Sequence, residues 1–72
     1  MTDAEADAWF LNNADFKMTH TAGMTTYQLW RRGKTARDEE TVGFAIPEAV
    51  QHPEPLEVQR FLVRWFASAH GV

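Results

Sequence analysis

The chain reads as an α+β fold. It is a single domain over residues 1–72 in the order α-β-β-β-α, with a three-stranded antiparallel meander and a C-terminal amphipathic helix packed on one face of it. Three observations predict this: a capping box opens the chain, apolar and polar residues alternate from Asp15 to Ile46, and a long stretch of helical periodicity closes it. Seventy-two residues leave room for one small core, because a chain of that size buries only about 60% of its surface on folding.

Each element has its own signal. Thr2-Asp3-Ala4-Glu5 places a hydroxyl to accept from a first-turn N–H and a carboxylate three residues on to reach back. A helix is therefore expected from 3 to about 12, with Asp3, Glu5 and Asp7 near its positive end and Asn12-Asn13 as its stop. Trp9, Phe10 and Leu11 are consecutive there, so at roughly 100° per residue one ring is expected at the periphery. In FKMTHT, Phe16, Met18 and His20 share a face; in TTYQLWRR, Tyr27, Leu29 and Arg31 lie opposite Gln28, Trp30 and Arg32. Ala22-Gly23-Met24 between them suits a tight hairpin. TVGFAI supplies the third strand, with Val42, Phe44 and Ile46 on one face and Gly43 and Ala45 on the other, where small side chains would admit a helix or a partner at close range.

Pro47 ends that strand, Pro47 to Gln51 is expected to make one helical turn, and His52-Pro53-Glu54-Pro55 is a stiff connector. In LEVQRFLVRWFASAH, the residues Val58, Phe61, Leu62, Trp65 and Ala69 form the expected buried row with Trp65 at its centre, and Glu57, Arg60, Arg64 and Ser68 lie opposite. Pro55 and Glu57 mark the start of this helix, His70 and Gly71 its end, and the first helix is expected beside it.

Hydrophobic residues at 44% and charged residues at 24% belong to a folded globular chain, not a disordered one. Without cysteine there is no disulfide framework, so packing or a partner must supply the stability. The start MTDAEADAWFLNN has no basic or apolar leader pattern and no apolar run approaches the ~20 residues of a membrane span, which points to a cytoplasmic protein with no membrane partner. The formal charge of −3 argues against a general polyanion binder.

The stretch LWRRGKTARDEET gathers Arg31, Arg32, Lys34 and Arg37 and then Asp38, Glu39 and Glu40. Its G-K-T letters do not make a phosphate loop, because Gln28 stands where the first glycine is needed and lies inside a strand. The stretch reads first as a solvated connection with local ion pairs, next as a protein-recognition surface, and last as a nucleic-acid contact with Trp30 stacking on a base. His20, His52 and His70 belong to separate elements without metal-ligand spacing, and no metal or cofactor is expected. The one serine, Ser68, has no base placed to activate it, and the carboxylate pairs sit on solvated positions, so no catalytic residue is proposed.

The aromatic content stands out: three Trp, five Phe and one Tyr, of which Trp9, Phe10, Trp30, Trp65 and Phe66 cannot all point inward. The function this favours is non-enzymatic protein binding, by an inhibitor or regulator of the kind that compact viral or mobile-element chains encode, acting by occluding another protein's surface. The candidate contact residues are Trp9, Phe10, Trp30, Arg31 and Arg32, with Asp3, Glu5 and Asp7 (and Glu54 and Glu57) able to meet a basic groove if that partner binds nucleic acid. The alternatives are a small nucleic-acid-binding regulator using Arg31, Arg32, Lys34 and Arg37, and a homo-oligomeric structural subunit.

Overall fold

The computed structural model describes residues Met1–Val72. The chain runs α1 (Asp3–Asn13), β1 (Ala14–Thr21), β2 (Met24–Arg31), β3 (Val42–Pro47) and α2 (Pro55–His70), and the strands form one antiparallel sheet in the order β1-β2-β3. This is the expected α-β-β-β-α meander with α2 on the sheet. α1 packs beside α2, and α2 lies over β2 and β3. No helix is long and apolar enough to cross a membrane.

The local signals act as chemistry requires. Thr2 and Glu5 exchange the two bonds of the capping box, at 2.7 and 3.1 Å. Ala22 and Gly23 form the β1–β2 turn with φ of 54° and 74°, both positive as a two-residue hairpin turn demands, and Met24 already belongs to the strand. A non-glycine residue there costs about 1–2 kcal/mol, so Ala22 is a strained choice. Residues 48–50 make a single hydrogen-bonded turn, closed by the Val50 N–H on the Pro47 carbonyl at 3.2 Å, in place of the expected helical turn.

Register decides which side of the sheet is core. Phe16, Leu29 and Val42 form one cross-strand row, Met18, Tyr27 and Phe44 the next, and His20, Thr25 and Ile46 the third. Leu29, Tyr27, Thr25 and Val42 of these rows are buried together with Ala6 and Ala14 from the start of the chain and Val58, Leu62, Val63 and Phe66 from α2. The opposite face, with Lys17, Thr26, Gln28 and Trp30, carries no helix. Gly43 points to that second face, so its small size does not admit a helix. A β-carbon there would run into the carbonyl oxygen of Tyr27 on the neighbouring strand, which is why the position is glycine.

Candidate functional site

α2 is well defined at both ends. Pro55 begins it, and Gly71 closes it in the left-handed region at φ 70° with its N–H on the Ala67 carbonyl. The helix carries more apolar side chains than one face can hold, and the structure divides them differently from the periodicity. Val58, Leu62, Val63 and Phe66 are buried. Phe61 and Trp65, expected in the buried row, are 56% and 41% exposed. The row is rotated toward α1 because α1 docks on this helix: Trp9 tilts against Phe66 at 5.5 Å, and Arg60 clamps Asp7 with two bonds of 2.9 and 2.6 Å. Arg60 and Arg64, expected on a solvent side, are the posts that hold α1.

The displaced aromatics collect on the other flank, over β3. Phe61 meets Phe44 edge-to-face at 5.9 Å, and Trp65 continues the series at 6.3 Å from Phe61. An open hollow of about 300 Å³ lies at the foot of this ladder, lined by Phe44, Pro53, Glu57, Val58 and Phe61. Its only charge is Glu57, which has no cation within ion-pair range.

A second hollow, of about 390 Å³, is lined by Met18, His20, Thr25, Tyr27, Glu48, His52, Pro53 and Pro55. Its histidines are largely occupied by the fold. His52 places Nε2 on the Pro47 carbonyl at 2.9 Å, which fixes the proton there and leaves Nδ1 to accept from the Tyr27 hydroxyl at 2.9 Å. His20 Nδ1 lies 3.0 Å from Thr25 Oγ1 and 3.2 Å from Glu48 Oε1. At the other end of the sheet His70 sets Nε2 on the Glu40 carbonyl at 2.8 Å. Each of these rings ties one connection to a neighbouring element.

The residues singled out in the sequence fall into two groups. Asp3 and Asp7 share the face of α1 turned to α2 and Glu5 closes the cap, so all three are engaged within the chain. The Arg64 hydrogen bond holds the Asp3 carboxyl below its usual range, with Arg60 adding to the effect; the Arg60 hydrogen bond does the same for Asp7, and the Thr2 N–H for Glu5. Arg60 is raised in turn, chiefly by its bond to Asp7. Trp9 and Phe10 are half-buried against the core, and of the three consecutive apolar residues the outward one is Leu11, 69% exposed.

Arg31 and Arg32 are likewise more than solvated loop cations. Arg31 lies over the Phe66 ring, 5.3 Å from its centroid, with Nε 3.4 Å from Glu40. Arg32 donates to the carbonyls of Leu11 and Ala14 at 2.7 and 2.8 Å and so ties the α1–β1 junction. Lys34 and Arg37 make no ion pair. Trp30 stands half-buried on the helix-free face of the sheet, apart from Trp9 and Phe10. The candidates therefore do not converge, whereas Phe44, Phe61 and Trp65 do. Their signal in the sequence was the excess of rings on the last helix, but not which of them face out.

Compared with protein-family models, with curated proteins and with solved structures, the chain gives no match.

Proposed function

We propose that this is a non-enzymatic protein-binding module whose recognition surface is the flank of α2 above β3. The observation that carries the reading is the aromatic ladder Phe44–Phe61–Trp65, whose last two rings are exposed, continuous with a strand edge that bears no charged residue. Large rings held rigidly at the surface supply contact area at little entropic cost, and Trp is prominent among the residues that anchor interfaces. The outer rings, Phe61 and Trp65, are not needed to close the core, which Val58, Leu62, Val63 and Phe66 of the same helix already fill. Occupying a partner's surface in this way is how a small inhibitor or regulator acts. The cations of the β2–β3 connection support a nucleic-acid role less well, since Arg31 and Arg32 are drawn into the fold and Lys34 and Arg37 alone remain for a ligand.

Affinity capture from the native host, run in parallel with wild type and with a Phe61→Ser/Trp65→Ser variant, tests the reading. A protein retained by the wild type and lost by the variant is expected. Equal capture by both, or loss only on replacing Lys34 and Arg37, places recognition elsewhere.

A further inference from the structure

The open edge of β3 is unusual in what it lacks, and the parity of the sheet shows what it offers. The Glu48 N–H bonds the Gly23 carbonyl at 2.9 Å, which continues the β2–β3 ladder one pair beyond Met24 and Pro47. In an antiparallel pair hydrogen-bonded positions alternate, so Ile46, Phe44 and Val42 direct their main-chain groups to β2, and Gly43 and Ala45 direct theirs outward. No hydrogen bond within the chain reaches the outward groups of Gly43 and Ala45. β1 is also an edge, yet it carries Asp15, Lys17 and His20, the charged blunting by which natural sheets avoid edge pairing; β3 reads VGFAIP and carries none.

We propose that the occupant of this edge is a second copy of the same chain, paired β3 to β3 across a two-fold axis at Phe44 to give a six-stranded sheet. This rests on the reading of the α2 flank as a recognition surface and names what it recognises. The segment Val42-Gly43-Phe44-Ala45-Ile46 is a near-palindrome of residue character: β-branched, small, aromatic, small, β-branched. Antiparallel pairing centred on Phe44 sets Gly43 opposite Ala45 of the second copy as a hydrogen-bonded pair, uses the unpaired groups of both, and brings the Phe44 rings together. It sets Val42 opposite Ile46, so from Val42 to Ile46 the strand contacts on the helix side are apolar. Self-complementarity of this kind is what an isologous two-fold interface requires.

The helices agree with the strand. α2 starts near the Pro47 end of β3, where Pro55 lines a hollow with Thr25, and finishes with His70 on the Glu40 carbonyl just before Val42, so it runs opposite to β3. Two copies of α2 consequently pass antiparallel with Phe61, which packs on Phe44, nearest the axis. Phe61 and Trp65 of each copy fill the space between them, and Glu57, unpaired in its own chain, comes level with Trp65 of the other. The like charges brought near each other at the strand ends, Glu40 and Glu48, are each held by cationic or histidine partners at home, Arg31 at 3.4 Å and His20 at 3.2 Å.

The experiment is sedimentation of the full chain over a concentration series, with two variants on the interface. Ala45→Pro removes an outward N–H that the monomer does not use, and Trp65→Glu places a charge on an exposed flank, so each is expected to fold and to weaken association by at least about tenfold, as loss of an anchor does. A wild-type mass that doubles with concentration, with both variants shifted toward monomer, is the expected result. Register is tested by cysteine, of which the chain has none. Phe44→Cys places two α-carbons about 4.5 Å apart, within disulfide reach, and should link under oxidation, whereas Ala45→Cys, about 8 Å from its mate, should not. A wild type that stays monomeric at every concentration overturns the proposal, as does a dimer indifferent to Trp65→Glu and Ala45→Pro. If the chain is monomeric and capture still depends on Phe61 and Trp65, the recognition flank survives and the second copy does not. If capture fails as well, both readings fall.

Discussion

The two flanks of α2 carry similar residues and meet opposite circumstances. Toward α1 the helix uses everything it presents: Val63 and Phe66 are buried, Trp9 packs on Phe66, and Arg60 and Arg64 bond the carboxylates of Asp7 and Asp3 at 2.6 Å each. Toward β3 it presents Phe61, which meets Phe44, and Trp65, which meets Phe61, and both then face water. The difference teaches that surplus apolar area on this helix is not spread around it. One flank is fully consumed by folding, and the other keeps a connected aromatic strip beside an uncharged strand edge, which is where binding has something to gain.

The contrast is broken or sharpened most strongly by truncating one ring on each side. Phe66→Ala empties a fully buried site and should cost about 3–5 kcal/mol, a large fraction of the stability of a domain this small, measured by thermal or urea unfolding. Comparable losses for Phe66→Ala and Trp65→Ala would mean that the flanks are not distinct.

Next comes acid sensitivity. Asp3 and Asp7 are held below the usual carboxylate range by Arg64 and Arg60, so the folded chain gives up these protons more readily than the unfolded one. Their stabilisation is complete above the ordinary carboxylate value of about 4 and is lost as pH falls through the depressed folded values. Arg60→Gln should therefore lower the melting temperature at neutral pH and flatten its decline below about pH 4. Parallel melting curves for wild type and variant across that range would show that the α1 flank owes nothing to these pairs.

Arg31→Gln should cost about 1 kcal/mol by removing the cation from above Phe66, a loss that should disappear in a Phe66→Leu background if the ring is its cause. The smallest effect belongs to the exposed flank: Trp65→Ser should change stability by less than about 0.5 kcal/mol while quenching most of what the α2 flank binds. A variant whose unfolding and binding both match wild type would remove Trp65 from the recognition surface.

What the sequence made legible was whatever depends on neighbours along the chain. Thr2 and Glu5 announce the cap, alternation announces the three strands, and Gly71 announces the end of α2, because the partners in each case lie within a few residues. The orientation of α2 was not legible. Val58, Phe61, Leu62, Val63, Trp65 and Phe66 form an apolar arc too wide to have an evident centre, and which part faces inward depends on where α1 docks. Arg31 and Arg32 were opaque for the same reason. Their partners, Phe66, Leu11 and Ala14, are far away in sequence, so a stretch that reads as solvated charge turns out to be half fastening. The ladder Phe44–Phe61–Trp65 crosses two elements and could not be seen from either one alone.

The clamp between Arg60 and Asp7 joins residues 53 apart in sequence, and this sets a timetable for the newborn chain. α1 is made first, but the surface it needs is made last. At 5–20 residues per second the ribosome takes roughly 3–10 seconds to supply Arg60 after Asp7. Through that interval the hairpin can pair, since its contacts are local, while Leu29 and Tyr27 wait uncovered for α2. α1 meanwhile has only its capping box and the acids of its first turn to keep it helical. During that wait the cap gives the first element a local bias toward helix, which docking on α2 then completes.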